Sequence, residues 1–226
     1  MLIALILFVA VTASLPYVAP EKTTHFAVNV ERYRSDLVRK EIDLPDGLHY
    51  VYLEGGQGEP LMLLHGFGAN KDNFTRVARF LTPHYRVIIP DHIGFGESSH
   101  PQEADYSPPA QVERLRSLAQ ALDIKTLHLG GSSMGGQIAM IYAARYPAEI
   151  KSLWLLGPAG VWSAPQSEVF KIIAESGHNS LLAKNEDEFA QTFSFVMNDP
   201  PFIPRPMLDV IAQQRISNYK LEERIF

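Results

Sequence analysis

The chain has 226 residues, of which 46% are hydrophobic and 20% charged, with a formal charge of −5 and no cysteine. That is ordinary globular material, enough for one sizeable domain or one domain with an insert. A phosphate-tracking surface needs clustered cations and none occur here, which argues against nucleic acid as a partner; the lack of cysteine excludes disulfides, zinc–thiolate sites and a cysteine nucleophile.

The chain opens on "LIALILFVAVTASLPYVA" (2–19), uncharged and starting with ten consecutive apolar residues. About 20 mostly apolar residues span a bilayer, so the stretch sits near the lower limit of a membrane anchor. A cleaved signal would want a basic start, which is missing, and its site would be "VTA" ending at Ala13. Pro16 and Pro20 disfavour a buried core helix. We therefore expect an anchor (or signal) over 1–20. Lys22, Arg32, Arg34 and Arg39 follow it and no charged side chain precedes it, which favours a cytoplasmic body over a secreted or periplasmic one.

After a polar juncture over 21–36, "LVRKEIDLPDGLHYVYLEGG" (37–56) reads as two short strands around "PDG". "PLMLLHG" (60–66), "YRVIIPD" (85–91), "TLHLGG" (126–131) and "SLWLLG" (152–157) are apolar runs bounded by turn residues, the pattern of strands buried on both faces. Between them lie helical spacings: Phe74, Val77, Ala78 and Leu81; then Val112, Leu115, Leu118, Ala119 and Leu122; then a nearly apolar helix over 134–146. Buried strands alternating with helices predict an α/β fold, a mostly parallel sheet with helices on both faces, over 37–160. From 161 to 226 helices follow without strands. Asn185 and Glu188 form a capping box and Pro206 suits a first turn, so this region reads as a helical cap inserted at the carboxyl edge of the sheet.

"GGSSMGG" (130–136) lies between a predicted strand and a predicted helix and contains the nucleophile-elbow pattern G-x-S-x-G centred on Ser133. Gly131 and Gly135 would let strand and helix approach, and the helix N-terminus would face developing negative charge. An acyl-transfer site needs two backbone N–H donors at the oxyanion. Met134, after the serine, supplies one, and Phe67 in "HGFG" (65–68) supplies the other. His65, Gly66 and Gly68 support that loop, His65 as a brace rather than a base. His128, inside an apolar strand, reads as a satisfied core histidine. No His/Asp/Glu cluster has metal spacing, and the chemistry calls for no cofactor.

Through "LLHGFG", "IIPDHIGFGES" (88–98) and "GGSSMGG", in that order and spacing, the chain from about residue 37 onward resembles the α/β-hydrolase fold family. Within it, "YLEGGQGEPLMLLHGFGANKDNF", "SSMGGQIAMIYAARYP", "LLGPAG" and the N-terminal stretch are most similar to the membrane-anchored monoacylglycerol lipase branch. The resemblance implies a serine esterase or lipase hydrolysing carboxylic esters, acylglycerols among them, with Ser133 as nucleophile and Phe67 and Met134 as oxyanion donors. It also implies that Asp91 and Gly94 shape a loop beside the pocket. The substrate is then a small-molecule or lipid ester. A C–C bond or peptide hydrolase of the same fold and a non-catalytic binding protein are the alternatives.

The family order is serine, then acid, then histidine. After Ser133 the histidine is His178, in the cap region, where Asp187, Asp199 and Asp209 also lie. The two further strand–helix units the family would add need roughly 50 residues or more. The sequence-based expectation is thus a C-terminally shortened chain, inactive alone, with its acid and base beyond Phe226. In the apolar stretch "FSFVMNDPPFIP" (193–204), Phe193 and Val196 share a helical face with Phe189 and are expected to pack. Phe202 and Ile203, flanked by prolines, are expected to line an acyl pocket or touch lipid.

Overall fold

A computed structural model of the chain describes residues 13–226. It divides into two compact units, one joining the residues up to Val30 with Glu168–Tyr219, the other joining Glu31–Ser167 with Lys220–Phe226. The expected anchor lies largely outside the described residues; among those described, no helix is long and apolar enough to cross a membrane.

The larger unit is built on six strands: β1 (Leu37–Asp43), β2 (His49–Gly55), β3 (Glu59–Leu64), β4 (Tyr85–Pro90), β5 (Leu127–Ser132) and β6 (Ile150–Leu156). Their order is β1-β2-β4-β3-β5-β6. β1 and β2 form the hairpin read from the sequence, in register from Leu37↔Gly55 to Asp43↔His49. β2 runs antiparallel to β4, and β4, β3, β5 and β6 are mutually parallel.

Apolar runs form the central strands because both faces are covered. Met62 and Leu64 of β3 face a core shared with helices α3 (Pro108–Ala121) and α4 (Met134–Arg145) through Leu115, Leu118, Ile138 and Tyr142. The alternate residues Leu61 and Leu63 face a second core with Val87, Ile89, Phe74 and Ala78. Phe74 closes a 3₁₀ turn (Lys71–Phe74) and Ala78 ends the short helix α2 (Thr75–Ala78), so that predicted helix is barely one turn of α-helix. Its spacing still buries the side chains it was expected to bury, with Val77 and Leu81 packed alongside.

Two elements add to the sequence reading. The polar juncture is the helix α1 (Pro20–Arg34). Its polar composition hid it, yet Pro20 opens it, Glu21 lies in its first turn and Arg32 and Arg34 in its last, all placements a helix favours. Arg32 clamps Asp72 with two hydrogen bonds of 2.7 Å. The last apolar run is the strand β6, paired with β5; among the described residues its Leu153, Trp154 and Leu156 are exposed.

From 161 onward the chain forms helices α5 (Glu168–Ser176), α6 (Glu186–Val196), α7 (Arg205–Ser217) and α8 (Tyr219–Ile225). Asn185 Oδ1 accepts the Glu188 N–H at 2.9 Å while Glu188 Oε2 accepts the Lys184 N–H at 2.8 Å, closing the α6 N-terminus. Ala183, Phe189, Leu208 and Ala212 make a small core of the helical unit. Residues 161–167 and 220–226 group with the sheet-bearing unit. There the Phe226 ring meets Phe67 edge-on at 5.4 Å.

Candidate active site

Ser133 sits between β5 and α4 with φ +53° and ψ −118°, a strained conformation for a residue with a side chain, which costs on the order of 1–3 kcal/mol. Neighbouring backbone over-determines it. The Ser133 N–H donates to Leu156 O at 3.0 Å, and its carbonyl accepts from Ala159 N–H at 2.9 Å and Gln137 N–H at 3.1 Å. The side chain is exposed just ahead of the first helical residue, Met134. The first-turn amides of a helix lack i−4 partners, so the hydroxyl stands where negative charge is favoured.

The tightness of the turn explains its glycines. A Cβ on Gly131 would lie 2.3 Å from Gly135 O, and one on Gly135 would lie 2.2 Å from Leu64 O and 2.5 Å from His65 O. The loop 65–68 comes against the serine: a Cβ on Gly66 would stand 3.2 Å from Ser133 Cβ and 3.9 Å from its Oγ. Gly68 turns this loop with φ +68°, and Ala69 N–H donates to Gly66 O at 3.2 Å.

His65 is fully buried, and both ring nitrogens are used. Nε2 accepts the His92 N–H at 3.0 Å, which leaves Nδ1–H to donate to Gly66 O at 2.8 Å. Burial holds its pKa below the ordinary imidazole value. It ties the two loops together as a neutral ring and is not poised as a base. Phe67 is half-buried and packs edge-on against Phe95 at 5.6 Å.

A buried charge network beneath these loops was not foreseen. Asp91 is fully buried; its Oδ1 accepts the Lys71 N–H at 2.6 Å, and its Oδ2 accepts Lys71 Nζ–H and the Glu97 N–H, both at 2.8 Å. Lys71 Nζ also donates to Glu97, which Arg39 clamps from the surface. Burial opposes ionisation of Glu97, yet the hydrogen bonds from Arg39 and Lys71 outweigh it and bring its pKa to about 2. Asp91 thus fixes the loop 91–98, and Gly94, at φ +94°, lets Tyr106 and Ile225 close over it. Lys71 gave no signal in the sequence, because a lone lysine reads as surface.

The other candidates are described within their own units. His178 and Asp199 are exposed in the helical unit, and Asp187 and Asp209 both bind Arg205 there. Ile203 packs on that unit's core with Phe193, whereas Phe202 is 90% exposed. Val196, expected to pack, is 52% exposed, because it lies in the last turn of α6 beyond the packed face. His128 is satisfied, as expected, but on a sheet face rather than in the core, by Ser152 and Glu59.

The α/β-hydrolase fold family matches residues 59–202, which include the elbow and the glycine loop. The chain belongs to the α/β-hydrolase family. Lipase 1 of Psychrobacter immobilis is 48% identical over 206 residues, 90% of this chain and 64% of that protein. Monoacylglycerol lipase ABHD6 of Homo sapiens is 28% identical over 182 residues, 76% of this chain and 53% of that protein. Among solved structures, a membrane phospholipase A described as a bacterial virulence factor superposes with a TM-score of 0.88 at 39% identity. That match covers the whole of this chain and 73% of the other. The α/β-hydrolase chain described here therefore spans slightly less than two thirds of the length of its bacterial lipase relative.

Proposed function

We propose that the intact protein is a serine hydrolase that cleaves carboxylic esters, acylglycerols among them, through an acyl-enzyme on Ser133. The observation that carries this reading is the exposed, strained serine at the junction of β5 and α4, pressed against the 65–68 loop. Similarity to lipases supports the ester as substrate. In this reading Ser133 Oγ attacks the ester carbonyl and the Phe67 and Met134 amides stabilise the oxyanion. Removing one such donor typically costs about 10²–10³ in rate. Within the sheet-bearing unit no histidine or carboxylate hydrogen-bonds Ser133 Oγ. Hydrolysis of medium-chain monoacylglycerols by the intact protein should vanish in Ser133→Ala; hydrolysis at the wild-type rate in that variant would refute the assignment.

Residues 2–19 carry the membrane association in this proposal, in keeping with their uncharged composition. Carbonate extraction should leave the intact protein in the membrane pellet, and its quantitative release would count against an anchor. The acyl-chain contact narrows to Phe202, since Ile203 is engaged in packing. Each buried methylene contributes about 0.8 kcal/mol, or roughly fourfold in kcat/KM. Phe202→Ala should flatten the rise of kcat/KM with chain length, and an unchanged profile would place the acyl pocket elsewhere.

A further inference from the structure

The ammonium of Lys71 joins the two loops that meet at the candidate site. Lys71 follows the glycine loop, and its side chain is 2% exposed beside an Asp91 side chain that is 0% exposed. Asp91 Oδ1 accepts the Lys71 N–H, and Oδ2 accepts both the Lys71 ammonium and the Glu97 N–H. The Asp91 carbonyl accepts the Ser98 hydroxyl at 2.9 Å, while Ser98 Oγ accepts the Val51 N–H at 2.9 Å and ties the 91–98 loop to β2. A Cβ on Gly96 would lie 2.1 Å from Asp91 Cγ, so the loop closes on the carboxylate without slack. Replacing a buried ion pair by apolar side chains of similar volume is often neutral or stabilising, so stability alone gives little reason for Lys71. Register between the loops gives a better one. The residue after Asp91 carries that register to the glycine loop: His92 N–H donates to His65 Nε2 at 3.0 Å, and His65 Nδ1–H donates to Gly66 O at 2.8 Å. Gly66 O and the Phe67 N–H belong to one planar trans peptide and point in opposite directions. Fixing the carbonyl therefore aims the N–H, and the same hydrogen bond polarises the amide into a stronger donor.

We propose that Lys71 is a positioning residue for ester hydrolysis: its ammonium locks the 91–98 loop to the glycine loop and, through His92 and His65, holds the Phe67 N–H at the angle the oxyanion needs. The inference rests on the roles proposed above for Ser133 and Phe67. Lys71 acts through these other groups and touches no reacting atom. Its loss leaves ground-state binding of the ester in place. It weakens a hydrogen bond made fully only in the transition state, so kcat falls while KM stays.

The test uses the intact protein. Lys71→Met alone leaves the Asp91 carboxylate without its ammonium, which can prevent folding; combining it with Asp91→Asn removes both charges and the clamp together. Both variants are assayed by steady-state hydrolysis of p-nitrophenyl butyrate. They are also titrated with an alkyl trifluoromethyl ketone, whose adduct on a serine carries an oxyanion. Neither KM nor the ketone's Ki depends on the fraction folded, so a partly unfolded preparation still reads the effect. We expect kcat to fall about 10²-fold, the scale of a 1 Å misplacement at a reacting centre. KM should be unchanged, and Ki should rise by the same factor as kcat/KM falls. An unchanged Ki, or a loss carried by KM, would overturn the proposal. Fluorophosphonate reaction of the wild-type protein separates the two readings. With Ser133 labelled, an unchanged Ki defeats the role of Lys71 alone; with Ser133 unlabelled, the serine assignment fails and this inference with it.

Discussion

Gly135→Ala tests whether the serine turn depends on the close approach of α4 to the sheet. The added Cβ would lie 2.2 Å from Leu64 O, 2.5 Å from His65 O and 2.6 Å from Leu64 C, all backbone atoms that cannot rotate away. Relief to an ordinary contact requires α4 to move by about 1 Å from the end of β3. Overpacking of this kind costs about 1–3 kcal/mol. Alanine returns about 0.5–1 kcal/mol as the better helix former, so the net loss is roughly 1–2 kcal/mol. Ser133 directly precedes α4 and moves with it, and a 1 Å misplacement of reacting groups costs about 10²-fold in rate. Gly47→Ala is the control: its φ is +82° with nothing within 4 Å, so it costs about 1–2 kcal/mol of backbone strain without moving α4. Urea unfolding and ester hydrolysis by the intact protein should show similar stability losses for the two variants, with only Gly135→Ala slowed. Hydrolysis at the wild-type rate by Gly135→Ala would refute the reasoning.

Lys71→Met should lower stability by about 3–5 kcal/mol, since it leaves the buried Asp91 carboxylate without its ammonium partner; a urea-derived change below about 1 kcal/mol would contradict this. Glu97 has a folded pKa of about 2 against an ordinary 4.5. The depressed value means that its contribution is fully present above pH 4.5 and is lost as pH falls from 4.5 toward 2. Glu97→Gln should therefore flatten that part of the acid-unfolding profile, and an unchanged acid limb would show that its ion pairs do not matter to stability.

What the sequence revealed follows from which forces leave a local trace. β3, β4 and β5 were legible because burial on both faces demands unbroken apolar runs, and the Ser133 turn because only glycines at 131 and 135 permit its close approach. β6 was legible as a strand from its own apolar run. α1 left little apolar trace, because it presents few apolar residues and is marked chiefly by charges at its ends and the Arg32–Asp72 clamp. Lys71 and Asp91 are 20 residues apart, and nothing local in either announces a buried pair. The hydrogen bonds of His128 to Ser152 and Glu59 were hidden for the same reason. Their partners come together only through strand register.

The most direct measurement is site-mapped reaction of the intact protein with a fluorophosphonate. The account predicts a phosphonyl adduct on the peptide carrying Ser133, absent in Ser133→Ala. A fully active intact protein whose adduct lies elsewhere, with Ser133 unmodified, would contradict it.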